Sequence, residues 1–417
     1  MNAARPAAAA GSAPDPFDPL RIGPLTLRNR FVKAAANEGM TRAGVPTRAL
    51  LEHHRALAAG ELGMSTVAYG AVSGSGRSLP EQLWLRAEIL PDLRALTEAV
   101  HEQGGRLCCQ LTHGGLYVPG MKVQGPLMSA SSGFNKVGLL AGNWRSRAMS
   151  ERDMVQVRGE FVAAAQICRE AGFDAVELHM GHGYLLNQFI SPLNNVRRDE
   201  YGGSAANRAR FPASVLAAVR QAVGGTLAVL AKINVADGVA RGATVDDAIV
   251  TARALEQAGA DLLVLSGGRN AESGAFMFGS NHDVAEMRKV LGRFASLAFA
   301  LSQLGAPRVT FRPMYFLEYA RRIRDAVAVP LGYLGGVRSL ADARQAAALG
   351  FEAIVMARPL VHDTGFVGKL RRGEVQLSGC TSCNRCVPYI YHPAGTRCVF
   401  AAPNDLAANQ VRAAGAS

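Results

Sequence analysis

The sequence predicts an α/β fold: a closed (β/α)8 barrel of the TIM type, with long loop insertions and a cysteine-rich C-terminal tail. Three observations predict it. Eight short runs of aliphatic and β-branched residues are apolar throughout rather than alternating, as parallel strands buried on both faces must be. Helix-patterned segments separate them, and three of these close on one device: an amphipathic stretch, a glycine, then an acidic residue, then the next strand. The 417 residues show no second globular unit, and single barrels reach this length. A doubly wound open sheet is the alternative.

The strands, in order, are "RFVKAAA" (30–36), "STVAYGAV" (65–72), "RLCCQL" (106–111) and "AVELH" (175–179). Then come "LAVLAKIN" (227–234), "LLVLS" (262–266), "LGYL" (331–334) and "AIVMA" (353–357). The helix–glycine units are "FVAAAQICREAGFD" before the fourth strand, "VDDAIVTARALEQAGAD" before the sixth and "SLADARQAAALGFE" before the eighth. Glycine suits a helix C-terminus because positive φ is wanted there. Repeated units of this kind imply right-handed crossovers. Two insertions, 117–149 and 267–313, follow strands three and six. Both leave the strand ends where barrel enzymes build their sites. The second contains "RKVLGRFASLAFALSQLG", which reads as a helix. The expected division is a disordered leader (1–16), the barrel (17–373) and a cysteine-rich extension (374–417).

Composition narrows the function. Hydrophobic residues make up 49% of the chain and charged residues 19%, so a large core is expected. The net charge is +12, but Lys and Arg are scattered, with short clusters at Arg197-Arg198, Arg321-Arg322-Arg324 and Arg371-Arg372. No basic stripe interleaves with aromatics, so nucleic acid is not the expected partner. No apolar run is long enough to span a bilayer, and the start lacks the basic-then-apolar pattern of a signal peptide. A soluble, cytoplasmic protein is expected. Seven cysteines fit a reducing compartment better than a disulfide framework. Cys108, Cys109 and Cys168 lie in apolar segments and read as small buried hydrophobes.

One stretch carries chemistry: "HMGHGYLLNQFISP", residues 179–192. His179 ends strand four, and His182 and Tyr184 follow in the loop, at the barrel mouth. The pair has three readings. It could ligate a metal, although no HExxH helix surrounds it. It could be structural and hydrogen-bonded. The favoured reading makes the imidazoles paired donors to a carbonyl or phenolate oxygen, with Tyr184 as proton donor because a phenol stays protonated at neutral pH.

The longer segment "HMGHGYLLNQFISPLNNVRRDEYGGSAANRARF" (179–211) resembles the signature of the Old Yellow Enzyme family of FMN-dependent ene-reductases. The likeness runs in order from "DPLRIGPLTLRNRFV" to "VMARPLV". Within the signature, Arg197, Asp199, Tyr201, Gly202, Gly203 and Arg208 are expected to lock the loop. The resemblance implies FMN, with NAD(P)H as reductant and a small alkene or enoyl compound as substrate. Hydride would pass from flavin N5 to the β-carbon of an activated alkene, His179 and His182 would hold the carbonyl oxygen, and Tyr184 would supply the α-proton.

It also implies cofactor contacts. Ala35, Ala36 and Asn37 would lie along the flavin edge, where this chain has Ala-Ala and Asn in place of the family's Pro and Thr or Cys. Ala68 and Gln110 end strands two and three, and Gln110 can hydrogen-bond the pyrimidine ring in both directions. Lys232 stands where the family has Arg, and a cation there would stabilise negative charge at N1. A lysine inside an apolar strand is otherwise costly. Gly335, Gly336, Ala357 and Arg358, with Arg338 as an alternative cation, would form the phosphate site of the last two loops.

The tail reads C-x2-C-x2-C-x11-C: Cys380, Cys383, Cys386 and Cys398. Three thiolates at three-residue steps with a distant fourth favour a [4Fe–4S] cluster over zinc. The pattern resembles that of two relatives, dienoyl-CoA reductase and trimethylamine dehydrogenase. No G-x-G-x-x-G fingerprint follows any strand, so a cluster would serve a separate redox partner or be structural. The rival functions are a dienoyl-CoA reductase-like or other flavin/iron–sulfur dehydrogenase, a metal hydrolase using Glu177 and Asp237 beside the histidines, and a flavin electron carrier.

Overall fold

The computed structural model describes residues 13–119, 121, 127–135, 138–139, 142–292 and 308–401. Eight parallel strands close into a barrel. They are β1 (Phe31–Lys33), β2 (Met64–Ala71), β3 (Arg106–Thr112), β4 (Ala175–Met180), β5 (Ala228–Asn234), β6 (Leu262–Ser266), β7 (Leu331–Leu334) and β8 (Ala353–Met356). Each pairs with its sequence neighbours, and β8 pairs with β1 to close the ring. The open-sheet alternative is thereby excluded. The outer helices are α1 (Arg48–Ala59), α2 (Leu90–His101), α3 (Glu151–Glu170), α4 (Ala205–Val223), α5 (Val245–Gln257), α6 (Leu317–Arg324), α7 (Leu340–Ala348) and α8 (Phe366–Arg371).

Local chemistry sets the helix ends. Ser150, Thr244 and Ser339 each accept from the backbone three residues on, and Asp153, Asp247 and Asp342 reach back to form capping boxes. The glycines expected to close α3, α5 and α7 have φ of +84°, +91° and +82° at Gly172, Gly259 and Gly350. A side chain disfavours that region, so the helix stops and the chain turns into the next strand.

Two cores follow from strand parity. Val32, Cys108, Ala175, Ala228, Leu230, Leu262 and Val355 fill the barrel interior. An antiparallel hairpin, Leu20–Ile22 with Leu25–Leu27, plugs its lower end. The opposite parity packs against the helices. Because side chains alternate, the inward rows continue upward as Cys108–Gln110, Ala175–Glu177–His179 and Leu230–Lys232. The polar residues of these apolar strands therefore meet at the C-terminal mouth. Cys108, Cys109 and Cys168 are fully buried, as expected.

The first strand is shorter than its apolar run. The ladder ends at Lys33, and residues 35–37 leave it to line the mouth. The first insertion forms a three-stranded sheet of Leu127–Ser129, Gly133–Phe134 and Arg145–Ala148. In the second, residues 284–292 are helical; the remainder of the helix expected there lies outside the described residues. No helix among the described residues is long and apolar enough to cross a membrane.

Candidate active site

A cavity of about 1190 Å³, measured to its open mouth, occupies the C-terminal end of the barrel. Ala35, Ala36, Asn37, Gln110, His179, His182, Tyr184, Lys232, Ala357 and Arg358 all line it. Ala68, Gly335 and Gly336 are not among the residues that line it. Ala68 lies one residue below the lining Tyr69, packed with Tyr69 and Tyr184. Gly336 serves the backbone: at φ +89°, an added Cβ would fall 3.1 Å from the Arg312 carbonyl oxygen and the Met314 nitrogen.

The histidine pair is built with precision. The rings lie 4.9 Å apart, edge to face. His179 Nδ1 accepts from the Gly181 N–H at 3.3 Å, which leaves Nε2–H as its donor. His182 Nε2 pairs with Ser266 Oγ at 2.8 Å. His182 has φ +59°, a left-handed backbone that a residue with a Cβ adopts only when held. It is held: its N–H donates to Asn234 Oδ1 at 3.1 Å, and its carbonyl accepts from Asn270 N–H at 3.1 Å.

Burial, then His182 and Lys232, pushes the His179 imidazole well below its ordinary pKa. Burial and Lys232 push that of His182 down to about 3. Both rings are neutral donors at physiological pH. The Tyr184 ring lies 4.6 Å from that of His179. Its phenol is raised well above the ordinary value by burial, Tyr69 and Tyr117, so it stays protonated. Substrate reduction should therefore vary less than about threefold between about pH 5 and 9. A stopped-flow pH series of the substrate half-reaction checks this, and a step near the ordinary histidine value would contradict it.

Beneath the pair, Lys232 sits opposite His179 and Gln110 opposite Glu177 in the ladders. The Glu177 carboxylate accepts from Gln110 Nε2 at 2.7 Å and pairs with Lys232 Nζ at 3.1 Å; all three are buried. Lys232 also donates to the Ala35 carbonyl at 3.3 Å. The metal-hydrolase rival needed Glu177 and Asp237 as ligands. Glu177 is committed to Lys232 and Gln110, while Asp237 binds Ser191 Oγ, Asn234 and the Ala243 N–H.

A second buried network was missed. Lys33 Nζ contacts the Glu38 carboxylate and donates to the Thr66 carbonyl at 3.0 Å. His54 Nε2 lies 3.6 Å from Glu38, and Glu38 Oε2 accepts from the Ala68 N–H at 3.0 Å. The signal was present as two charges in "FVKAAANE", but their partners come from α1 and β2. Burial raises the Glu38 pKa, and Lys33 and His54 outweigh it, leaving about 2 against an ordinary 4.5. A depressed carboxyl stabilises the fold above its unfolded value, and that contribution is lost as pH falls from 4.5 towards about 2. In Glu38→Gln, acid unfolding should lose this step, while stability at pH 7 should fall by about 3–5 kcal/mol because Lys33 is left buried and unpaired. Denaturant unfolding at pH 3 and pH 7 measures both.

The cysteine segment packs on the mouth. Cys386, Val387, Ile390, Tyr391 and Thr396 line the cavity. Thr396 is tied through its N–H to the Glu38 carbonyl at 2.6 Å and through its hydroxyl to that of Asn37 at 2.8 Å. Arg358 reaches from the cavity to Asn384 Oδ1 at 2.7 Å and the Phe278 carbonyl at 2.8 Å, whereas Arg338 is turned to the Cys380 carbonyl. Cys380, Cys383, Cys386 and Cys398 line one small pocket beside the cavity. None of the four is in a disulfide. Among the described residues, no three His, Cys, Asp or Glu side chains converge on a single-ion site. In the signature loop, Arg197 donates to the Ala130 and Met149 carbonyls and Arg208 to that of Ile190, so these residues tie backbone to backbone.

The cavity fits FMN: it is large, its floor carries a buried cation and a carboxamide, and Arg358 stands at its rim. Comparison with known proteins agrees. The NADH:flavin oxidoreductase / NADH oxidase family matches residues 15–290. The chain is 39% identical over 396 residues to a 4,4'-dithiodibutanoate disulfide reductase of Rhodococcus erythropolis, covering 93% of this chain and 96% of the relative. It is 33% identical over 258 residues to an NADPH dehydrogenase of Bacillus subtilis (strain 168), covering 60% and 73%. The solved structure of a 2-naphthoyl-CoA reductase has the same fold, with a TM-score of 0.75 at 22% identity, covering 91% of this chain and 58% of that one. The chain belongs to the NADH:flavin oxidoreductase / NADH oxidase family, which includes the Old Yellow Enzyme homologues, and is a flavin-dependent NAD(P)H oxidoreductase.

Proposed function

We propose that the enzyme reduces the C=C bond of an α,β-unsaturated carbonyl compound at the expense of NAD(P)H. One observation carries this reading: two neutral imidazoles and a protonated phenol share one wall of the cavity, with ring separations of 4.9 and 4.6 Å. Bound FMN supplies the hydride that the β-carbon receives. His179 and His182 donate to the carbonyl oxygen and stabilise the enolate-like charge as it grows. Tyr184 then gives its proton to the α-carbon and is reprotonated from solvent. Gln110 and Lys232 would orient and charge-balance the cofactor, and Ala35–Asn37, Ala357 and Arg358 would flank it. Turnover of 2-cyclohexenone with NADPH in D2O tests the scheme. The expected product carries one deuterium, at the α-carbon; no saturated product, or deuterium only at the β-carbon, would contradict it.

A second reading is favoured by the relative matched across nearly its whole length, which is a disulfide reductase. Two electrons and two protons convert an organic disulfide into two thiols, and the same donors would stabilise the departing thiolate. Two thiols released per NADPH from 4,4'-dithiodibutanoate would support it. The proposal extends to the tail, whose four cysteines are assigned a [4Fe–4S] cluster that passes electrons to a separate partner. What supports it is the C-x2-C-x2-C-x11-C spacing and the shared pocket that the four cysteines line. Iron and acid-labile sulfide near four each per chain in anaerobically purified protein are expected; absence of both would remove the cluster. Cysteines that form no disulfide among the described residues suit the cytoplasm, the compartment proposed for the protein.

A further inference from the structure

Asn270 lies four residues beyond β6 on the cavity wall. Its position is fixed from both sides. Its N–H donates to the His182 carbonyl at 3.1 Å, and the preceding residue, Arg269, forms a parallel bridge with His182. Arg269 is itself anchored, donating to Asn187 Oδ1 at 3.1 Å, Asn194 Oδ1 at 2.5 Å and Glu272 at 3.0 Å. Ser273 Oγ closes the turn by accepting from the Arg269 N–H at 2.8 Å and donating to the Asp237 carbonyl at 2.6 Å.

Within this paired loop one group is left over. Asn270 Nδ2 is buried and has no hydrogen-bond partner among the described residues. Buried amide donors are almost always satisfied, and an unmade bond is destabilising. A donor kept unpaired on a cavity wall, beside two other donors and on a braced loop, is preorganised for a ligand. An amide has neither charge nor a transferable proton, so it orients a substrate and does not replace Tyr184.

We infer that Asn270 forms a second oxygen subsite, donating to a carbonyl or carboxylate oxygen of the substrate other than the one held by His179 and His182. The preferred acceptors are then compounds bearing two such oxygens. This rests on the proposed reading that a reducible carbonyl compound binds at the histidine pair.

The test uses FMN-loaded enzyme and two unreactive ligands: succinimide with two carbonyl oxygens, and cyclohexanone with one. Binding is read from perturbation of the flavin absorbance and from calorimetry. Asn270→Leu should weaken succinimide about 10-fold or more and leave cyclohexanone within about twofold. Asn270→Asp, which keeps the size but loses the donor, should behave alike. Equal weakening of both ligands, no weakening of either, or failure of the wild-type enzyme to bind succinimide would overturn the subsite. A loss of FMN affinity in Asn270→Leu would also overturn it, since the amide would then serve the cofactor. Failure of the parent reading looks different: wild-type enzyme bleached by NADPH but unable to reduce 2-cyclohexenone or maleimide.

Discussion

Replacing Tyr184 with phenylalanine should slow alkene reduction by about 10²–10⁴-fold, the range spanned by one positioned general acid. The first half of the cycle, bleaching of the flavin by NADPH, should change by less than about threefold. The two halves separate because the proposed role of Tyr184 is toward the substrate and not the cofactor. Its ring packs on His179 at 4.6 Å and between Tyr69 and Tyr117 at 5.4 and 5.5 Å, so phenylalanine preserves the packing and removes only the hydroxyl. Stopped-flow traces of both halves give the answer. Equal slowing of both would assign Tyr184 to cofactor binding, and unchanged alkene reduction would return the proton donor to solvent.

The second large effect belongs to Lys232. Lys232→Met keeps the length of the side chain but strands the buried Glu177 carboxylate, whose ammonium partner lies at 3.1 Å. Breaking a buried pair from one side costs about 3–5 kcal/mol, a fall in melting temperature on the order of 10 °C. Removing the cation also disfavours the more negative, reduced flavin, so the midpoint potential should move down. Adding Glu177→Gln should restore most of the stability, because the stranded charge is gone, and leave the potential low, because the cation is still missing. Melting curves and potentiometric titration of the two variants separate these effects. A double variant as unstable as the single one would show that Lys232 acts through something other than Glu177.

These residues also show how much was legible from sequence. All eight barrel strands were, because burial on both faces leaves a local mark: an uninterrupted apolar run ended by a helix signal. Gln110, His179 and Lys232 were legible because each falls near the end of an apolar run and because the resemblance to the Old Yellow Enzyme family implies a site there. What these signals could not supply was pairing across strands. Glu177 read only as a candidate ligand of the metal-hydrolase rival, yet it pairs with Lys232 from the neighbouring strand. Lys33 and Glu38 are five residues apart, but their meaning depends on His54 and the Ala68 N–H, brought up by α1 and β2. Ala68 and Gly336 were expected as cofactor contacts from the resemblance, and neither lines the cavity of the protein. Loop paths decide which backbone faces the cavity, and those paths are set by contacts far along the chain. The cysteine spacing was plain, whereas its position against Asn37 and Glu38, 359 residues away in the Thr396–Asn37 bond, was not.

The most direct test of the account mixes anaerobic, FMN-loaded, NADPH-reduced enzyme with 2-cyclohexenone and follows the flavin absorbance. The account predicts that the oxidised band returns with saturating dependence on enone, yielding one cyclohexanone per flavin, and that Tyr184→Phe slows this return without affecting the preceding bleach. A flavin that NADPH bleaches and the enone leaves bleached would contradict it.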